Sequence, residues 1–228
     1  MAITTCVFDA YGTLFDVTAA ARTAASEPGR EALAARWQSL AAHWRTRQLQ
    51  YSWLRAVTGD HCDFWQVTCD ALDWALEAEG LDGDAGLRAR LLALYRTLGA
   101  YPEVPEVLTR LKAAGLRCAI LSNGAPKMLA AAVDSAGIGA RLDAVLSVEE
   151  VGVFKPARAV YDLVGRHLGA APGEVLFVSS NGWDAAAASG YGFETVWANR
   201  AGDPLERLPW RPAHIRADLT DIPELAGA

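Results

Sequence analysis

Residues 3–13 read Ile3-Thr4-Thr5-Cys6-Val7-Phe8-Asp9-Ala10-Tyr11-Gly12-Thr13. The apolar run Ile3–Phe8 predicts a buried β-strand, and Asp9 with Gly12 marks the polar turn that ends it. Open α/β sheets bind ligands just beyond the carboxyl ends of their strands, so a carboxylate at this point faces the place where a substrate sits. An isolated Asp in such a turn is more often a turn former or the cap of the next helix than a nucleophile. The reading of Asp9 therefore depends on what else reaches the same edge.

Two further segments repeat the strand-then-turn pattern, and a third adds a cation. Arg117–Leu121 reads as a strand followed by Ser122-Asn123-Gly124, and Glu174–Val178 as a strand followed by Ser179-Ser180-Asn181-Gly182-Trp183-Asp184; Phe154-Lys155-Pro156 opens a predicted helix that closes near Gly169. Additional strands are expected at Asp143–Leu146 and Glu194–Trp197, and helices from Pro105 to before Gly115 and over Ala125–Ala136. Short apolar strands alternating with helices predict an α/β fold with a Rossmann-like parallel sheet, buried on both faces by helices. In such a sheet the turns lie on one edge, which brings Asp9, Ser122, Asn123, Lys155 and Asp184 together.

Between the first strand and Leu98 the pattern is helical. Leu33, Trp37, Leu40, Trp44 and Tyr51 fall near one stripe; Phe64, Val67, Ala71, Leu72, Ala75 and Leu76 form a second; Leu87, Leu91, Leu94 and Leu98 a third. Residues 17–98 thus read as a helical-bundle cap inserted into a core domain made of residues 1–16 and 99–228. Tyr101-Pro102-Glu103-Val104-Pro105 reads as the return hinge, because closely spaced prolines stop helix propagation. Pro204–Pro212 reads as an irregular surface segment.

Composition narrows the function classes. The chain has 228 residues, 52% of them hydrophobic and 21% charged, with a formal net charge of −6; it is long enough to bury a sizeable core. The acidic balance and lack of a basic run argue against nucleic acid as partner. No stretch approaches a membrane span, and Met1–Thr5 lacks the features of a signal peptide, so the expected location is cytoplasmic. Cys6, Cys62, Cys69 and Cys118 have no CxxC or metal spacing and read as structural thiols. His43, His61, His167 and His214 fall in no motif.

The order of a strand-end Asp, a Ser, a Lys and a final acidic turn resembles the haloacid dehalogenase superfamily over nearly the whole chain. Phosphatases of that superfamily carry a second Asp two residues after the nucleophile and paired acids in the last motif that hold magnesium. Here those places are taken by Tyr11, which is no carboxylate acid or base, and by Ser179 and Asn181, with Asp184 the one acid of that turn. The runs DAYGTLFD (Asp9–Asp16), LSNG (Leu121–Gly124), FKP (Phe154–Pro156) and VSSNGWD (Val178–Asp184), with RTRQLQYSWLR (Arg45–Arg55), are similar instead to the (S)-2-haloacid dehalogenases.

That resemblance implies hydrolysis of short (S)-2-haloalkanoic acids to (R)-2-hydroxyalkanoic acids and halide, with no metal or organic cofactor. Asp9 is the implied nucleophile, forming an ester with the α-carbon. Lys155 orients Asp9, Thr13 hydrogen-bonds it, and Ser122 with the Tyr11 N–H receives the substrate carboxylate. Ser122 and Asn123 also suit a cap for the helix starting near Ala125. Arg45 is the implied halide donor, helped by Asn123 and Trp183; Arg47, two residues on, is its competitor. Thr46 stands where a longer polar side chain, often Gln, is expected. Asp184 activates water directly or orients Lys155 and Asn181, with Ser179 and Tyr161 linked to Lys155 and Asp184. Tyr11, Leu49, Phe64 and Trp183 form the apolar wall, and family habit implies a homodimer. Two readings compete: a magnesium-dependent phosphatase, opposed by Tyr11 and the Ser179/Asn181 turn, and a silent binding module, opposed by the joint presence of Asp9, Lys155 and Asp184.

Overall fold

Residues 2–228 are described by a computed structural model. Six strands, β1 (Thr5–Phe8), β2 (Arg117–Ser122), β3 (Ala144–Ser147), β4 (Val175–Ser179), β5 (Glu194–Ala198) and β6 (His214–Arg216), form one sheet in the order β3-β2-β1-β4-β5-β6. Every neighbouring pair is parallel. The central strands β1 and β4 are buried at every residue, as the near-continuous apolar runs require in a sheet covered on both faces. Strand order runs outward in both directions from β1, so a crevice opens at the carboxyl ends of β1 and β4.

The helices are α1 (Ala19–Ala25), α2 (Glu31–Ala34), α3 (Trp37–Thr58), α4 (Phe64–Glu79), α5 (Ala85–Arg96), α6 (Val104–Ala113), α7 (Pro126–Ala136), α8 (Arg158–Leu168), α9 (Gly182–Tyr191) and α10 (Ile222–Leu225). Between β1 and β2, α1 to α5 pack largely on one another, with α3 and α4 the most extensive pair. Leu40, Val67, Leu72 and Leu91 are fully buried there, and each such side chain stabilises by roughly 1.5–3 kcal/mol. The Trp44 indole N–H donates to Thr68 O at 2.9 Å, which fixes the register of the pair. The chain leaves and re-enters the sheet layer side by side: Asp16 N–H donates to Gly99 O at 3.2 Å and Tyr101 N–H to Leu14 O at 2.9 Å.

Beyond shifts of a residue or two at the ends of β1 and β4, the structure departs from the sequence reading as follows. Leu33 does not share a helix with Trp37, because α2 ends at Ala34 and α3 starts at Trp37. Pro156 does not open a helix: residues 154–157 form a turn closed by Ala157 N–H to Phe154 O at 3.1 Å, and α8 starts at Arg158. Strand β3 begins one residue late, because the Asp143 carboxylate turns back to accept the Cys118 N–H at 2.7 Å. Strand β6 was not anticipated; three residues with two polar ones carry too little apolar signal. Cys6 and Cys118 are free, buried register partners, and burial pushes the Cys118 thiol up to about 12. Among the described residues, no helix is long and apolar enough to cross a membrane.

Candidate active site

The register explains the meeting of side chains. Phe8 pairs with Val178 across β1 and β4, and Asp9 N–H extends that ladder to Val178 O at 2.9 Å. The carboxylate of Asp9 therefore stands beside the turn after β4, where Asn181 Nδ2 donates to Asp9 Oδ2 at 3.0 Å. Gly12 has φ +90°, a conformation L side chains rarely adopt, and a Cβ there would meet Ser180 Oγ at 3.0 Å. This turn folds Thr13 back so that its hydroxyl lies 3.0 Å from Asp9 Oδ2 and accepts the Ser180 N–H at 2.8 Å. Thr13 carries one hydroxyl proton; when that proton goes to Asp9, Ser180 Oγ, 3.1 Å away, acts as donor to Thr13.

Lys155 reaches the same point from the turn before α8. Its Nζ donates to Asp9 Oδ1 at 3.1 Å and to Asp184 Oδ2 at 2.9 Å, with the residue wholly buried. Its backbone N–H donates to Asn123 Oδ1 at 2.9 Å, so the turns after β2 and before α8 are locked together. The Tyr161 hydroxyl donates to Asp184 Oδ1 at 2.7 Å. Burial opposes charge on Lys155, but Asp184 and Asp9 outweigh it and hold the ammonium above its usual range. Burial, with the Asp9 charge added, pushes the Asp184 carboxyl up against the opposing pull of Lys155. Burial and the Asp184 charge push the Tyr161 phenol well up, so it remains a donor.

The inserted helices supply the other cation. Arg45 on α3 donates through Nη2 to Tyr11 O and to Asn181 Oδ1, each at 3.0 Å, and through Nη1 to Gln48 Oε1 at 3.3 Å. Asn181 thus bridges Arg45 and Asp9. Gln48 is buried and donates to Thr68 Oγ1 at 2.8 Å and to the Tyr95 hydroxyl at 3.1 Å. Arg47 points elsewhere, with its guanidinium 3.7 Å from the centre of the Trp74 ring and a bond to Gln50 at 2.9 Å. Tyr11 is buried and stacked on Tyr95 at 5.6 Å, and burial pushes its phenol well up, which removes it from acid or base chemistry near neutrality.

Of the residues singled out from sequence, Asp9, Thr13, Arg45, Lys155, Tyr161, Asn181 and Asp184 share one hydrogen-bond network. Ser179 is not bonded to Lys155 or Asp184; its hydroxyl accepts the Asn181 N–H at 3.1 Å and shapes the turn. Ser122 accepts the Gly124 N–H at 3.0 Å, and α7 has no side-chain cap, so Ser122 and Asn123 do not cap it. Phe64 packs on Tyr11 at 6.2 Å. Trp183 lies edge-on to Trp53 at 5.3 Å, and Leu49 is half-buried on α3 without a bond into the network. Gln48, Ser180 and Tyr95 were missed. Gln48 is three residues after Arg45, a spacing that shares a helix face, and that signal was available.

A family model described as haloacid dehalogenase-like hydrolase matches residues 3–192. (S)-2-haloacid dehalogenase 1 of Pseudomonas sp. (strain CBS-3) is 44% identical over 223 residues, covering 98% of this chain and 96% of that protein. The structure of a dehalogenase with an intermediate complex superposes with a TM-score of 0.93 at 41% identity, covering 98% of this chain and 97% of that one. L-2-haloacid dehalogenase from Xanthobacter autotrophicus with chloropropionic acid covalently bound superposes with a TM-score of 0.86 at 38% identity, covering 99% of each chain.

Proposed function

Because the chain belongs to the haloacid dehalogenase-like hydrolases, and within them to the (S)-2-haloacid dehalogenases, we propose that Asp9 displaces halide from the α-carbon of a short (S)-2-haloalkanoic acid and that the network around it completes the hydrolysis. The enzyme is a hydrolase of carbon–halide bonds acting through an aspartyl ester, and the product is the (R)-2-hydroxyalkanoic acid. The observation that carries the assignment of Asp9 is the unequal loading of its two oxygens. Oδ2 is engaged by Thr13 and Asn181, whereas Oδ1 has Lys155 alone and keeps the freer lone pair for attack.

In the first step Oδ1 bonds to the α-carbon as the carbon–halogen bond breaks, inverting the centre. Negative charge moves from Asp9 to the departing halide, so a fixed cation on the halide side lowers the barrier. Arg45 suits that role, since its contacts to Tyr11 O, Asn181 and Gln48 leave further N–H donors unused. Asn123 and Trp183 complete the halide side. The Tyr11 N–H makes no hydrogen bond among the described residues and, with Ser122, suits the substrate carboxylate. Tyr11, Leu49, Phe64 and Trp183 form the apolar wall. Water then attacks the ester carbonyl of Asp9 and passes one proton to Asp184, whose raised carboxyl is the better base; as the acyl–oxygen bond breaks that proton goes to the leaving alkoxide, the second proton of water goes to solvent, and the hydroxyacid departs with Asp9 and Asp184 restored as carboxylates. Tyr161 and Lys155 hold Asp184, and Ser179 holds the Asn181 turn.

We take residues 17–98 as a cap over a core of residues 1–16 and 99–228, joined where the two linkers pair. The reading includes a metal-independent reaction, because the Lys155 ammonium already lies between the two carboxylates that a cation would bridge, and a cytoplasmic homodimer. Halide release from racemic 2-chloropropionate in the presence of a chelator, with chiral analysis of the products, tests it. The expected result is full activity, (R)-lactate, and unreacted (R)-acid. Retention of configuration, or activity restored by magnesium alone, sinks it.

A further inference from the structure

Glu149 lies in the short turn Val148–Glu150 after β3, on the core side of the seam with the cap. Its two oxygens reach across that seam to different partners. Oε1 accepts the backbone N–H of Phe64 at 3.3 Å, and Oε2 lies 3.0 Å from His61 Nε2. Phe64 is the first residue of α4, and its N–H has no partner within the helix. The N-cap Asp63 serves the N–H of Gln66 at 2.8 Å and leaves that of Phe64 to the core. A carboxylate is favoured at this position by the helix dipole. His61 Nδ1 is buried without a partner, so the tautomer with its hydrogen on Nε2 fits, donating to Glu149 with no N–H stranded.

The same contact arranges aromatic rings. His61 packs on Phe154 at 4.8 Å, Phe64 packs on Phe154 at 5.9 Å and on Tyr11 at 6.2 Å, and Phe154 directly precedes Lys155. Beside Glu149 the cap and core part around a cleft of about 740 Å³, lined by Trp65, Arg96, Pro126, Lys127, Met128 and Glu149, so the seam is open on this side. We propose that Glu149 is a positioning residue: it clamps the start of α4 to the core, fixes Phe64 in the pocket wall, and so sets the length of 2-haloacid that the enzyme accepts. This rests on the reading of Phe64 as wall of the dehalogenase pocket.

The test compares Glu149→Ala and Glu149→Gln with the parent on chloroacetate, (S)-2-chloropropionate and (S)-2-chlorobutanoate, together with hydrogen exchange of residues 61–68 in the absence of substrate. The amide of Gln keeps an acceptor for the Phe64 N–H; Ala does not. Glu149→Ala is expected to raise KM for chloroacetate about tenfold, with a smaller change in kcat, to shift relative kcat/KM toward the longer acid, and to speed exchange in residues 61–68 while β1 and β4 stay protected. Glu149→Gln keeps the acceptor for the Phe64 N–H but sets its amide N–H against the Nε2–H of His61, and is expected to fall between the parent and Glu149→Ala in selectivity and protection. Unchanged chain-length selectivity and protection in Glu149→Ala, a loss confined to kcat and equal for all three acids, or a Gln variant as impaired as Ala would each overturn the proposal. If the parent releases no halide from any of the three acids, the dehalogenase reading fails, and the exchange comparison still decides whether Glu149 clamps α4.

Discussion

At the scale of single residues, the proposed mechanism assigns some groups of the network to the first chemical step and others to the second. Asp9→Asn leaves an amide that cannot attack carbon, and halide release is expected to vanish while substrate protection against heat persists, as read by thermal shift. Arg45→Ala removes the proposed halide donor and is expected to cost roughly 3 kcal/mol, about a hundredfold in kcat. Arg47→Ala, whose guanidinium rests on Trp74, is expected to leave kcat near the parent value. Sharp loss in Arg47→Ala with full activity in Arg45→Ala would reverse the assignment. Asp184→Asn distinguishes two roles. If Asp184 takes the proton of water, the variant forms the ester and stalls, so that intact mass after incubation with 2-bromopropionate shows one adduct, mapped to Asp9. Both oxygens of Asp184 are already engaged, by Lys155 and Tyr161. A variant that forms no ester and releases no halide would therefore mean that Asp184 serves to hold Lys155 against Asp9.

At the scale of elements, the site is a set of turns packed so closely that two of their glycines have no room for a side chain. Gly124 follows β2, and a Cβ added there would lie 2.7 Å from Tyr11 Cε2 and 3.0 Å from Leu129 Cδ2. Tyr11 is held from the other side by its stack with Tyr95, so it cannot retreat freely. Gly124→Ala is expected to destabilise by about 1–3 kcal/mol and to depress kcat/KM through the displaced Tyr11 wall, measurable by denaturant unfolding and steady-state kinetics. These turns were the legible part of the sequence, because each follows an apolar run and carries its polar residues within a few positions. The long stripes on α3 and α4 were legible for the same local reason. What escaped has no local signature. The break between α2 and α3 interrupts an unbroken apolar spacing, β6 is too short and polar to show a period, and the turn at 154–157 depends on a contact with Asn123 far back in the chain. Glu149 and His61, 88 residues apart, meet through tertiary packing alone.

At the scale of the whole molecule, Lys155 joins the carboxyl ends of two central strands through charges largely withdrawn from water. Removing it leaves Asp9 and Asp184 as buried anions facing one another, and breaking such a pair costs about 3–5 kcal/mol, on the order of 10 °C in Tm for a chain of this size. Lys155→Met is therefore expected to melt well below the parent at neutral pH, and adding Asp184→Asn, which deletes one stranded charge, is expected to recover part of the loss. The pH dependence has a determined sign. The folded pKa of Lys155 is raised above its usual 10.5, so its stabilisation is complete below that value and is lost as pH rises through the folded one. The Asp184 carboxyl is raised above its usual 3.8, which makes the buried anion a burden that disappears as pH falls through its folded value. The Tm difference between parent and Lys155→Met should thus be widest near neutrality. It should narrow toward acid as the stranded Asp184 carboxylate takes up a proton, and narrow again at alkaline pH above the Lys155 range. Calorimetric scans of both proteins across that interval check it. A difference that stays constant with pH would mean that the aliphatic stem of Lys155, rather than its charge between Asp9 and Asp184, is what the fold depends on.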